Sequence, residues 1–151
     1  KGATKTNFCP SACIVNYYNE KSIMGGHRDD LEYALDKPVI SLNLGLPGVF
    51  LLGGVTKNET VIPILIRPGD VLVLGGSSRM NYHGMARVLS HRVELPTAPL
   101  KTDYDLFQSV SEVPESDINH IQQFLRKHRI NINIRQVLPD GVLSINDMKK
   151  V

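Results

Sequence analysis

The sequence predicts an antiparallel β protein, either a double sheet or a barrel, built as one domain over residues 1–151. Two observations predict this fold class. Short runs rich in β-branched residues and leucine follow one another from Ala12 to Val93, and Gly- or Pro-containing turns separate them. No helical period of apolar residues lies between the runs, as a parallel βαβ fold would require. We therefore expect a β core.

Six runs predict the strands of this core. In chain order they read ACIVNYY, PVISLNLG, GVFLLGG, VIPILIRPGD, VLVLGG and GMARVLSHRV. A polar, proline-bearing stretch then predicts an insertion over residues 94–128. Four apolar residues of the insertion share one helical face: Ile118, Ile121, Phe124 and Leu125. They predict a helix over about residues 116–128, with Ser116 as its N-cap and basic residues in its last turn.

Composition excludes few classes of function. The 17 basic and 15 acidic residues leave a net charge of +2, which does not by itself indicate a nucleic-acid partner. Cys9 and Cys13 stand four residues apart, a spacing that favours reduced thiols and hence an intracellular protein, without distinguishing nucleus, cytoplasm or mitochondrion. No apolar run approaches the roughly 18 residues of a membrane span. The sequence does not indicate an oligomeric state.

The stretch GGHRDDLE, residues 25–32, raises the first question of chemistry. On an extended segment His27 and Asp29 point to the same side, so they can present an imidazole and a carboxylate to one point. We expect a second imidazole from His83, which stands at the edge of an apolar strand; a buried core histidine is the alternative there. Two histidines and one carboxylate on one side of a metal leave positions open, as in non-haem Fe(II) oxygenases. A solvated turn is the alternative for the octet.

The stretch RININIR, residues 129–135, alternates strictly between polar and apolar residues. As a strand it places Arg129, Asn131, Asn133 and Arg135 on one face, and three isoleucines on the other. Six steps of about 3.3 Å separate the two arginine Cα atoms by roughly 20 Å, so two inward side chains can close on a short dicarboxylate. A polar face turned to water is the alternative.

Together, His27-x-Asp29, His83 and Arg129-x5-Arg135 resemble the AlkB family of Fe(II)/2-oxoglutarate dioxygenases. The likeness extends through PVISLNLGLPGVFLLGG and GDVLVLGGSSRMNYHG. The stretch FLRKHRININIRQVL looks most like the branch named for the first AlkB homologue.

The resemblance implies a double-stranded β-helix, or jelly roll, with one helix in the insertion before the last core strand. It implies three iron ligands, which would also be the catalytic residues: His27, Asp29 and His83. It implies five residues that bind 2-oxoglutarate: Asn16, Tyr18, Arg129, Asn131 and Arg135. Arg129 would pair with the distal carboxylate, and Asn131 and Arg135 would contact the other end. The isoleucines of RININIR would fill the core behind the site.

The activity that the resemblance implies is oxidative demethylation of N-alkylated bases in tRNA or DNA. Fe(II), 2-oxoglutarate and dioxygen would be required, and nucleic acid would be the partner. An N-methyl carbon becomes hydroxylated, 2-oxoglutarate becomes succinate, and the hemiaminal releases formaldehyde.

The substrate side departs from the family pattern. Leu31 stands where bacterial AlkB has an acidic substrate-contacting residue, and Lys57 stands where it has an arginine. Arg28, Lys57, Arg79 and Arg87 are candidates for holding phosphates, although ordinary surface cations would read the same way.

Two alternatives stay open at this stage. One is an oxygenase that acts on a protein side chain, and the other is a jelly roll that binds a partner without catalysis. The family's nucleotide-recognition region precedes the jelly roll, and a chain that begins at Lys1 without it is expected to be a fragment.

Overall fold

The computed structural model describes residues 7–90 and 114–148, which form eight strands, one α-helix and two short 3-10 turns. The strands are β1 (Ala12–Tyr18), β2 (Met24–His27), β3 (Val39–Gly45), β4 (Gly48–Leu52), β5 (Ile62–Ile66), β6 (Val71–Leu74), β7 (His83–Val88) and β8 (Arg129–Arg135). The helix is α1 (Glu115–Leu125), and the 3-10 turns are Gly76–Ser78 and Ile145–Asp147. Among these residues, none of the helices has the length and apolar content that a membrane span requires.

The strands form two four-stranded sheets, with the orders β1-β8-β3-β6 and β2-β7-β4-β5. Every strand pairing recorded between these eight strands is antiparallel. The sheets face each other, because one buried cluster draws Phe50, Ile66 and Met85 from the second sheet and Leu74 from the first. The predicted fold class, mainly β with a jelly-roll architecture and one helix before the last core strand, is confirmed.

β8 lies between β1 and β3, and its polar face is the inner one. Arg129, Asn131 and Asn133 line a cavity between the sheets. Because side chains alternate along a strand, the three isoleucines of β8 lie on the opposite, outer face, where they are only half-buried. The expectation that they fill the core behind the site was wrong. The space in front of the polar face is a cavity, which both polar and apolar side chains line.

Two local elements differ from the sequence expectation. α1 begins at Glu115 after Pro114, and the Ser116 hydroxyl does not cap it. It ends at Leu125 with no basic residue in its last turn. The glycine pair before His27 forms part of β2, which the sequence did not predict as a strand. Most of the predicted insertion, residues 94–113, lies outside the described residues.

Candidate metal and cosubstrate site

The three predicted metal ligands meet at the end of the β2–β7 strand pair of the second sheet. His27 ends β2, His83 begins β7, and the two residues are register partners across the strand pair. Asp29 follows two residues after His27, with its Oδ2 3.6 Å from His83 Nε2 and its Oδ1 3.9 Å from His27 Nε2. One ligand atom from each of the three lies within 4.8 Å of the others. The structure therefore brings these three side chains to one point.

A close approach of two strands sets this geometry. A Cβ at Gly84 would lie 2.7 Å from the carbonyl oxygen of Met24, which is shorter than real Cβ contacts allow. Glycine at this position lets β2 lie close against β7 next to the histidine pair. The imidazole rings of His27 and His83 are consequently 4.5 Å apart between centroids.

Backbone carbonyls orient both imidazoles. His27 Nδ1 lies 3.0 Å from the Gly25 oxygen, and His83 Nδ1 lies 3.0 Å from the Asn81 oxygen. These contacts assign the proton to each Nδ1, so each Nε2 lone pair is free to bind a metal. Burial lowers the pKa of His83, and this effect outweighs the Asn81 carbonyl and the Asp29 carboxylate. A neutral imidazole is the form that coordinates a metal.

Arg129 occupies the opposite wall of the cavity and fits an anionic cosubstrate. It is 1% exposed, its Nη1 donates to the Leu46 carbonyl at 3.2 Å, and its Nη2 donates to Asn43 Oδ1. Its Nε is buried without a partner. Among residues 7–90 and 114–148, no carboxylate forms an ion pair with it. Burial lowers the pKa of Arg129, and this effect outweighs the opposing effects of the Tyr18 phenol and the Asp70 carboxylate.

The other predicted 2-oxoglutarate residues take different places. Tyr18 and Asn131 line the cavity, whereas Asn16 donates to Asn131 Oδ1 at 3.4 Å and so reaches the cavity through its neighbour. Burial raises the pKa of the Tyr18 phenol, which stays a neutral hydrogen-bonding group. Arg135 binds Asp29 Oδ1 at 2.9 Å. Its contact with the cosubstrate stays a prediction.

Sequence reasoning missed several polar residues that hold the site together. Asn43 Oδ1 accepts from both Arg129 and Asn131, and Ser41 Oγ accepts from Asn131. A signal for these two was present, since Ser41 and Asn43 are the polar members of one face of an otherwise apolar strand. Glu32 binds Arg135 without such a signal, because GGHRDDLE also reads as a solvated turn.

Two of the three predicted substrate residues, Arg28 and Lys57, pack on the ring of Tyr82, the residue that precedes His83. The Arg28 guanidinium carbon lies 4.9 Å from the Tyr82 ring centroid, and the Lys57 amine lies 5.4 Å from the same centroid. Leu31 is 94% exposed. Arg79 is only 3% exposed, so the expectation that it holds phosphates was wrong: its guanidinium is used inside the fold.

A jelly roll that collects two histidines and a carboxylate opposite a buried arginine defines the class of Fe(II)- and 2-oxoglutarate-dependent oxygenases. The family model described as "2OG-Fe(II) oxygenase superfamily" matches residues 1–135. The chain belongs to this superfamily, and its relatives place it in the AlkB family.

Two curated relatives and one solved structure illustrate the likeness. The chain is 34% identical over 130 residues to the DNA N(6)-methyladenine demethylase ALKBH1A of Arabidopsis thaliana, covering 86% of this chain and 35% of that protein. It is 26% identical over 135 residues to the tRNA demethylase abh1 of Schizosaccharomyces pombe, covering 85% and 37%. The structure of OsALKBH1 superposes with a TM-score of 0.60 at 27% identity, covering 87% of this chain and 52% of that one. The chain thus spans about a third of the length of these curated relatives.

Proposed function

We propose that this chain carries the catalytic core of an oxygenase that demethylates N-alkylated bases in tRNA or DNA. The observation that carries the proposal is the pairing of the His27–Asp29–His83 cluster with Arg129, a buried cation without an acidic partner in the described residues. A cluster of metal ligands alone would fit many reactions. A cluster of metal ligands that faces a buried guanidinium with no ion pair among the described residues fits a reaction that uses a dicarboxylate.

In the proposed reaction, Fe(II), 2-oxoglutarate and dioxygen supply the oxidation that turns N-methyl into N-hydroxymethyl, with succinate and carbon dioxide as co-products. His27, Asp29 and His83 would hold the metal. The Nδ1 contacts of the two histidines with backbone carbonyls fix their rings before the metal binds. Arg129 would take the distal carboxylate of 2-oxoglutarate. Its two donors to Leu46 and Asn43 hold the guanidinium plane in place.

The substrate assignment draws on the rim of the site and on the relatives. Arg28 directly follows one metal ligand and Tyr82 directly precedes another, while Lys57 reaches the Tyr82 ring from the β4–β5 loop. Two cations beside Tyr82, the neighbour of His83, suit the phosphates of a nucleic acid whose base is flipped into the cavity. Leu31, fully exposed on the same loop as Asp29, would meet the base or its neighbours. The demethylase names of the Arabidopsis and fission-yeast relatives agree with this substrate class.

Formaldehyde release from methylated tRNA and DNA oligomers tests the proposal. We expect iron- and 2-oxoglutarate-dependent release by the chain, and none from Asp29→Ala, which removes the anionic ligand. Asp30→Ala is the matched control, since Asp30 is exposed and pairs only with Arg28 among the described residues. Release by Asp29→Ala at the rate of the unmodified chain would refute the metal assignment. A peptide that gains one oxygen, with no formaldehyde from nucleic acid, would indicate a protein substrate instead, and absence of metal binding would indicate a non-catalytic module.

A further inference from the structure

The Glu32 carboxylate lies at the centre of a charged cluster beside the metal site. Its side chain is 7% exposed, and each carboxylate oxygen accepts from a different arginine. Oε1 accepts from Arg135 Nη1, and Oε2 lies 3.2 Å from Arg79 Nη2. Burial alone would raise the pKa of Glu32, but the hydrogen bonds from Arg135 and Arg79 lower it below its ordinary value. Glu32 is therefore a buried anion.

Both arginines also hold Asp29. Arg135 Nη2 lies 2.9 Å from Asp29 Oδ1, and Arg79 Nη1 donates to the Asp29 backbone carbonyl at 2.5 Å. The four residues form a closed ring in which each arginine bridges Glu32 and Asp29. Arg135 restrains the Asp29 side chain, Arg79 restrains its backbone, and Glu32 restrains both arginines.

The charges in this ring explain why a second acid is needed. Two buried guanidinium groups carry two positive charges, and Asp29 alone supplies one negative charge. Without Glu32, Arg135 would have only Asp29 as an anionic partner, and the ring would hold a net positive charge next to a site for a divalent cation. A guanidinium that binds the Asp29 carboxylate more tightly competes with the metal for the lone pairs of the carboxylate oxygens.

We propose that Glu32 is a positioning residue for the metal site: it shares the charge of Arg135 and Arg79, and so keeps Asp29 available to the metal. The inference rests on the proposed function, because it takes His27, Asp29 and His83 as the ligands. It assigns Glu32 no contact with substrate.

Mn(II) affinity, measured by calorimetry on the full chain without substrate, tests this role. We expect Glu32→Gln to weaken Mn(II) binding about 10- to 100-fold, the usual effect of losing a group that orients a ligand. The matched control is Asp30→Asn. It also removes one negative charge, at a position two residues from Glu32, where Asp30 forms an exposed ion pair with Arg28. Its effect should stay within about fivefold, as for an exposed ion pair. The visible absorption of bound Co(II) should change in Glu32→Gln and not in Asp30→Asn.

A second variant separates this role from a purely structural one. Glu32→Gln with Arg135→Gln removes one charge of each sign, and we expect it to bind Mn(II) more tightly than Glu32→Gln alone. If Glu32→Gln does not fold, binding by this double variant within about tenfold of the unmodified chain supports the proposal. The proposal is overturned if the double variant binds Mn(II) more weakly than these expectations. It is also overturned if a folded Glu32→Gln binds Mn(II) with unchanged affinity. No Mn(II) binding by the unmodified chain would instead overturn the proposed function.

Discussion

At the residue scale, the surroundings of Arg129 indicate most clearly that the cavity binds an anionic ligand. Its side chain has neutral oxygens from Asn43 and Leu46 on two nitrogens, and the third nitrogen is buried without a partner. Neutral oxygens satisfy hydrogen bonds but do not balance a buried charge. A carboxylate in the cavity would do both, which is the physical reason to place the distal end of a dicarboxylate there.

Arg129→Ala should therefore raise the 2-oxoglutarate concentration needed for half-maximal turnover far more than it lowers the maximal rate. A charge-assisted hydrogen-bonded pair contributes about 1.5–3 kcal/mol, which corresponds to roughly 10- to 150-fold in that concentration. Arg87→Ala is the matched control, because Arg87 is an exposed arginine of β7 and does not line the cavity. Steady-state succinate formation over a 2-oxoglutarate series measures both constants. A lower maximal rate with an unchanged half-saturation point would contradict the assignment.

Residue types and spacing predicted the three metal ligands, because two of them stand two residues apart and the third stands at the edge of an apolar strand. The ring around Glu32 could not be read in the same way. In the sequence, Glu32 is 47 residues from Arg79 and 103 residues from Arg135. Only the folding of the whole chain brings the three side chains together. An acidic residue in a polar turn gives no local sign of such partners.

At the element scale, local pattern gave the strands but not their surroundings. The period of two in RININIR predicted two faces correctly, yet which face points inward depends on what lies between the sheets. β2 shows the opposite limit. Its sequence, MGGH, has two glycines and little intrinsic preference for a strand, and pairing with β7 imposes the extended form.

Gly45, the last residue of β3, gives an element-scale test. Its φ is +77°, and a Cβ there would overlap the carbonyl oxygen of His128, which also accepts from the Leu46 amide at 2.9 Å. We expect Gly45→Ala to lower the free energy of unfolding by more than the roughly 1 kcal/mol of positive-φ strain, since backbone must also move. Gly69→Ala isolates the strain alone, because Gly69 has a φ of +85° with nothing within 4 Å of the added carbon. Equal losses in urea unfolding of both variants would show that the clash is relieved without cost.

At the scale of the whole molecule, the site is divided between the two sheets. The second sheet supplies His27 and His83, and the first supplies Tyr18, Arg129 and Asn131. Because different sheets supply the two halves, no single segment of the sequence contains the site. A ligand that reaches both the metal cluster and Arg129 would connect the sheets, and its binding would then stabilise the fold as a unit.

Thermal unfolding with Mn(II) and 2-oxoglutarate, separately and together, tests this division. A ligand at 100 times its dissociation constant adds about 2.7 kcal/mol, and for a chain of this size each kcal/mol raises the melting temperature by roughly 2–4 °C. We expect the two ligands together to raise it by more than the sum of their separate effects, because the metal and Arg129 would hold opposite ends of one molecule. Arg129→Ala should keep the Mn(II) shift and lose the extra increment, whereas Asp29→Ala should lose both. An increment from 2-oxoglutarate that is as large without metal, or that survives in Arg129→Ala, would mean that the dicarboxylate binds elsewhere and that the two sheets do not share it.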